Sequence, residues 1–102
     1  MSDTKTDTAQ RLDDTAIETR LAELPDWVRS GEVLQRTFSC GDFIKAMSFV
    51  NALAEAAESA QHHPDILVRY SKVTLTLSTH DAGGITGKDF GLAAIIDSLH
   101  GD

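Results

Sequence analysis

Ile66-Leu67-Val68-Arg69-Tyr70-Ser71-Lys72-Val73-Thr74-Leu75-Thr76-Leu77-Ser78-Thr79 decides the fold of this chain. Two runs rich in β-branched residues flank Ser71-Lys72, so residues 66–70 and 73–79 are expected to pair as an antiparallel hairpin. The second run alternates, with Val73, Leu75 and Leu77 on one face and Thr74, Thr76 and Ser78 on the other. That is the pattern of a sheet packed on one side only. The threonine face is left for solvent or for a second copy, and the pattern does not choose between them.

Upstream, Gly41-Asp42 breaks the chain and places Asp42 to cap a helix. Phe43, Ala46, Met47, Val50, Leu53, Ala54 and Ala57 then trace an apolar stripe at helical spacing. Residues 43 to about 61 are expected to form this long helix, and Pro64 stops it. Before it, Trp27-Val28-Arg29, a turn at Ser30-Gly31-Glu32 and residues 33–40 read as a first hairpin. Leu34, Phe38 and Cys40 share a face there that Arg36 interrupts. Thr15-Ala16-Ile17-Glu18 spells a capping box at the head of a short helix carrying Ile17, Leu21 and Leu24, ended by Pro25. Thr86-Gly87-Lys88-Asp89 spells another, opening a last helix with Phe90, Ala93, Ile96 and Leu99 on one face.

The order αββαββα predicts an α+β fold, a four-stranded antiparallel sheet with three helices packed on one face. Residues 1–14 are polar, with Leu12 the one sizeable apolar side chain after Met1, and are expected to form a mobile tail. Residues 15–102 are expected to be a single domain.

Composition narrows the function classes. The formal net charge is -7 and no basic stripe exists, which argues against nucleic acid and anionic membrane as direct partners. A lone cysteine, Cys40, excludes an intrachain disulfide and is expected to be a small core residue in a reducing, cytoplasmic setting. The chain shows neither a signal-like segment nor an apolar run long enough to span a membrane. At 102 residues there is little room for a deep pocket, so an oligomer is expected.

The titratable residues concentrate between Glu58 and Asp89. Glu58 and His62 are four apart at the end of the long helix, so their side chains are expected to meet. If Tyr70 pairs with Val73, the continued ladder sets His63 opposite His80, with His62 one residue away. Asp89 opens the last helix a short loop after His80. Each has an ordinary explanation: histidines suit a helix C-terminus, His80 a strand end, Asp89 a cap. Their convergence from separate elements favours a functional cluster instead. A metal would want three or four ligands, and adjacent His62 and His63 cannot easily turn both rings to one ion. General acid–base chemistry suits the set better, because a histidine with a pKa near about 6.5 can donate or accept at neutral pH. A neighbouring carboxylate would favour the charged form of its histidine.

At these residues the chain resembles the pterin-4a-carbinolamine dehydratases. The shared pattern is Glu58, His62-His63-Pro64, Tyr70, His80 and, after a Gly-Thr loop, Asp89. The likeness extends through Leu24-Pro25-Asp26-Trp27, Arg36-Thr37-Phe38, Asp42-Phe43 and Thr79-His80-Asp81-Ala82-Gly83-Gly84 to Ile96-Asp97. Gln61 stands where Asp or Asn is common, and Lys88 where Arg is often seen.

The resemblance implies an enzyme that dehydrates 4a-hydroxytetrahydropterin to quinonoid dihydropterin, recycling the pterin spent by aromatic amino acid hydroxylases. It implies His62 and His80 as the acid/base pair and His63 as mainly substrate-binding. Pro64, Thr79, Asp81 and Ala82 would contact substrate. Asp89 would orient His80, and Glu58 would contact the pterin or polarise a histidine. No metal or cofactor is implied, since the pterin is the substrate. A homodimer or homotetramer is implied, formed through the sheets and the long helices. Relatives of this fold also bind a transcription factor as a dimerisation partner, so the alternative is a non-catalytic binding module that would not need the histidines.

Overall fold

The computed structural model describes residues 10–101. Helix α1 (Asp14–Leu21) is followed by strands β1 (Val28–Ser30) and β2 (Val33–Ser39), then the long helix α2 (Phe43–Ala60). Strands β3 (Asp65–Arg69) and β4 (Lys72–Leu77) lead through a single 3-10 turn (His80–Ala82) into α3 (Gly87–His100). The four strands form one antiparallel sheet in the order β1-β2-β4-β3, so the two hairpins join through β2 and β4. The expected α+β order αββαββα is the order observed.

Alternation in β4 places the core. Val73, Leu75 and Leu77 are fully buried, with Leu34 and Phe38 of β2 beside them. Against this face pack Ala46, Phe49, Leu53 and Ala57 of α2 and Phe90, Ala93 and Ile96 of α3. Removing a buried leucine such as Leu53 from a core of this kind costs about 2–5 kcal/mol. On the opposite face, hydroxyl pairs bridge the strands: Thr37 Oγ1 lies 2.8 Å from Thr74 Oγ1, and Gln35 Nε2 donates to Thr76 Oγ1 at 3.2 Å.

Arg36, which interrupts the apolar face of β2, is accommodated there. Its guanidinium lies 4.1 Å from the Phe38 ring centroid and donates to Asp97 Oδ1 at 2.7 Å. Trp27 Nε1 donates to the same oxygen at 2.8 Å, which ties the first hairpin to α3.

Four local expectations need correction. Asp13, not Thr15, caps α1: its carboxylate accepts from the Ala16 N–H at 2.9 Å, and no Thr15 capping box forms. The regular helix also stops at Leu21, ahead of Pro25, because its last turn tightens into Glu23 N–H to Arg20 O and Leu24 N–H to Leu21 O bonds. Residues 1–9 of the expected tail lie outside the described residues. Order begins before Thr15, since the Leu12 N–H donates to Ile85 O at 2.8 Å and Arg11 pairs with Glu32.

The fourth correction is register. Arg69 pairs with Lys72 and Val68 with Val73, so Tyr70-Ser71 is the turn, and Tyr70 takes it up with a φ of 59°. The expected Tyr70–Val73 pairing is therefore two residues out. An even slip leaves every side chain on its expected face. It does move the position level with His63 from His80 to Ser78. Among the described residues, no helix is long and apolar enough to cross a membrane.

Candidate active site

The site is built where α2 ends, β4 ends and α3 begins. Helix α2 closes on Gln61, which adopts the left-handed conformation with φ 54°. The His62 N–H reaches back to Ala57 O and the Gln61 N–H to Glu58 O, both at 3.1 Å, the paired bonds of a Schellman ending. Because the chain reverses its twist at Gln61, the helical spacing that would join Glu58 to His62 no longer applies. Glu58 Oε1 meets His63 Nε2 instead, at 2.9 Å, in an exposed pair. His62 turns inward, its side chain only 11% exposed, and its Nε2 lies 2.5 Å from Asp89 Oδ1.

Asp89 is fully buried and divides its two oxygens between two tasks. Oδ2 accepts from the Thr86 N–H and from the Thr79 hydroxyl, each at 2.9 Å, which completes the capping box at the head of α3. Oδ1 is left for His62. Thr79 in turn accepts from Thr86 Oγ1 at 2.7 Å, and Thr86 Oγ1 accepts from the Lys88 N–H at 3.1 Å. Every hydroxyl in this relay thus donates once and accepts once, and a chain of that kind reinforces each of its bonds. Among the described residues, no buried side-chain nitrogen or oxygen lacks a partner.

A carboxylate accepts only, so His62 Nε2 carries the proton shared with Asp89 and Nδ1 lies outside that bond. The buried acid fixes both the ring plane and the tautomer, the service a carboxylate commonly performs for a catalytic histidine.

His80 opens the 3-10 turn, which the Thr79 N–H to Gly84 O bond and Gly83 at φ 77° close behind it. The ring is exposed and makes no side-chain hydrogen bond among the described residues. The expected Asp89–His80 contact is absent from this arrangement; Asp89 serves His62. His62, His63 and His80 nevertheless line one hollow of about 240 Å³, together with Gln61, Ser78, Thr79, Asp81 and Lys88. Pro64 sits half-buried at the start of β3, and Ala82 half-buried in the 3-10 turn; neither lines this hollow. Glu58 reaches it only through His63.

Ser78 as a lining residue and the hydroxyl bond joining Thr79 to Thr86 are what the sequence analysis did not single out. Ser78 carried a signal, since it continues the polar face of Thr74 and Thr76 to the strand end. The relay is tertiary and left none.

Larger hollows lie elsewhere, one of about 400 Å³ beside Cys40, Phe49 and His100 and one of about 480 Å³ beside Arg20 and Phe90. Neither brings two histidines together. Burial pushes the Cys40 thiol up from its ordinary value, away from the thiolate that nucleophilic chemistry needs.

A family model described as pterin 4 alpha carbinolamine dehydratase matches residues 10–99. A Picosynechococcus protein provisionally named pterin-4-alpha-carbinolamine dehydratase is 52% identical over 91 residues, covering 89% of this chain and 99% of that protein. A Roseiflexus castenholzii protein of the same provisional name is 54% identical over 91 residues, covering 89% and 98%. Among solved structures, a transcriptional coactivator/pterin dehydratase from Brucella melitensis superposes with a TM-score of 0.87 at 31% identity, over 90% of this chain and all of that one. A pterin dehydratase-like protein described as a RuBisCO assembly factor in the alpha-carboxysome gives 0.65 at 28% identity, over 76% and 92%. With matches of this length running through His62, His80 and Asp89, the chain belongs to the pterin 4 alpha carbinolamine dehydratase family.

Proposed function

We propose that this chain dehydrates 4a-hydroxytetrahydropterin to quinonoid dihydropterin and water by histidine general acid–base catalysis. The observation that carries it is the 2.5 Å contact between His62 Nε2 and the fully buried Asp89, made beside His63 and His80 in one hollow. The reaction breaks the C4a–O bond and forms C4a=N5. One group must protonate the departing hydroxyl and another must take the N5 proton. His62, oriented by Asp89, and His80, which lines the same hollow, supply the two proton-transfer groups. His63 and the Thr79–Asp81 backbone hold the ring. The pterin is the substrate, and the reaction uses no metal or further cofactor.

Copies of the chain associate on this proposal, as suits the exposed apolar side chains Phe43 and Ile44 on α2, Ile95 and Leu99 on α3, and Leu67 on the edge strand. The test is a stopped assay of 4a-hydroxytetrahydropterin dehydration with wild type, His62→Ala and His80→Ala. Loss of about 100-fold or more in kcat for each folded variant is expected, on the scale of a positioned acid or base. Full activity in both would sink the proposal.

A second reading comes from the two solved relatives described as a coactivator and as an assembly factor. On it the chain is a protein-binding module with no need of histidines in its hollow; a module of that kind would have no use for the relay that fixes His62, and the same assay separates the two.

A further inference from the structure

His80 lines the hollow without a side-chain hydrogen bond among the described residues, so its backbone sets where the ring stands. That backbone has little rigidity of its own. A short 3-10 turn runs into Gly83-Gly84, and glycine loses more freedom on ordering than any other residue. From inside, a bridge between Thr79 and Gly84 closes the turn. The Thr79 N–H donates to Gly84 O at 2.9 Å and the Gly84 N–H to Thr79 O at 3.3 Å.

From outside, residues far away in sequence hold it. The Leu12 N–H donates to Ile85 O at 2.8 Å, which lays the segment before α1 along the end of the turn. Arg11 grips Glu32 with two arms of its fork: Nε donates to Oε1 at 3.2 Å, and Nη2 donates to Oε2. This ion pair sits on Gly84. A Cβ at that position would lie 2.5 Å from Glu32 Oε1 and 2.7 Å from Arg11 Nε. Gly84 is buried and its φ is not positive, so space, not backbone conformation, calls for glycine there. Glu32 also holds the near side of the turn, because its carbonyl accepts from Ser78 Oγ at 2.9 Å. One residue thus fastens the chain both before and after His80. Arg29, the other guanidinium whose charge reaches Glu32, is taken up by Asp14 Oδ1 and Gly31 O, each at 2.8 Å.

The side chains of the pair are 49% and 43% exposed, and an ion pair that wet adds little to global stability. What it covers is local, the turn that carries His80 into the hollow. We propose that Arg11 and Glu32 are positioning residues for His80, a strap that holds its turn in the geometry proton transfer needs. The catalytic consequence rests on the dehydratase reading. A displacement of about 1 Å can cost a proton-transfer group about 100-fold in rate. A turn released from its strap still keeps the Thr79–Gly84 bridge, so a smaller loss is expected.

The test measures kcat and KM for 4a-hydroxytetrahydropterin dehydration by the full chain as wild type, Arg11→Gln, Glu32→Gln, the double variant and Gly84→Ala. Each variant should fold with a Tm within a few degrees of wild type and lose about tenfold in kcat, with KM within about twofold. The double variant should be no slower than either single one, since both changes release one strap. Gly84→Ala should lose as much, its methyl group displacing the paired side chains. Introduced into His80→Ala, Glu32→Gln should cost nothing further, whereas a merely structural role would slow that background too. Folded variants within about twofold of wild-type kcat, or a loss of about tenfold retained in His80→Ala, would overturn the proposal. A wild type that turns over no substrate would overturn the dehydratase reading, and amide hydrogen exchange then decides the strap by itself. The Thr79 and Gly84 amides should exchange about tenfold faster in Glu32→Gln, and unchanged exchange would overturn the strap.

Discussion

Asp89→Asn separates the two tasks of one buried carboxylate. The isosteric amide offers one acceptor and one donor group where the acid offered two acceptors. Two hydrogens converge on Oδ2, from the Thr86 N–H and the Thr79 hydroxyl, and one on Oδ1, from His62. The amide oxygen will therefore keep the two-donor side and preserve the cap. Its NH2 then faces His62 Nε2 and forces that nitrogen to accept, which moves the ring proton to Nδ1. Stability should fall by about 1 kcal/mol, the difference between a charge-assisted and a neutral hydrogen bond. Activity should fall far more, about 100- to 10,000-fold in kcat, because the working nitrogen now carries the wrong tautomer. Asp89→Ala, by contrast, strands three donors in the interior and should cost about 3–5 kcal/mol, confounding fold with function. The assay is single-turnover dehydration alongside urea unfolding of wild type, Asp89→Asn, His62→Ala and the double variant. The double variant should be no slower than His62→Ala, since both changes disable one unit. A folded Asp89→Asn protein within threefold of wild-type kcat, with His62→Ala inactive, would show that Asp89 only caps its helix.

Three further outcomes follow from the scaffold. Gln61→Gly removes a side chain from a left-handed position, φ 54°, and should stabilise by about 0.5–1 kcal/mol, seen as a rise of a few degrees in Tm; no rise would mean the conformation carries little cost. Asp97→Ala takes away the oxygen that receives Trp27 Nε1 and Arg36 Nη1 and should destabilise by about 2–4 kcal/mol in urea, whereas a loss below about 0.5 kcal/mol would discount that junction. The hydrogen bond from Arg11, with its charge, holds the Glu32 carboxyl below its ordinary value. A depressed folded-state value means the stabilisation is present above the unfolded pKa of about 4.3 and is lost as pH falls through the folded one. The Tm gap between wild type and Glu32→Gln should therefore close on acidification below that pH; a gap that persists would show that the pair does not act through charge.

Periodicity made α2 and β4 legible before any coordinates, because each buries one continuous stripe and the residues that must be apolar are apolar. The hairpin register was not legible. Ser71-Lys72 looks more turn-like than a turn led by Tyr70, and nothing local announces an aromatic residue at φ 59°. The slip of two residues spared the fold, since faces repeat every second residue, but it shifted His63 along β4 by about 7 Å. His62, His63 and His80 do share one hollow, but not in the pairings expected with Glu58 and Asp89. Glu58 was matched to His62 by helical spacing, yet that rule ends at Gln61. Asp89 was matched to His80 through family resemblance, yet its free oxygen faces His62. Pair identity depends on the twist of single residues at element ends, and composition barely constrains that.

The placement of Asp89 has a consequence for how such a site can persist in so small a protein. A buried carboxylate is costly unless several donors meet it. Here the donors are ones the fold must satisfy anyway: the Thr86 N–H is an orphan of the α3 terminus, and the Thr79 hydroxyl is buried at the end of β4. The acid that orients His62 is therefore anchored by bonds that folding already requires, and only Oδ1 is left for the histidine. His80 has no such anchor and stands exposed on its turn. One histidine is thus held by the fold, while the other is exposed and makes no side-chain hydrogen bond among the described residues. On the dehydratase proposal, that asymmetry would put the preorganised part of catalysis on the His62 side of the hollow and the binding-dependent part on the His80 side.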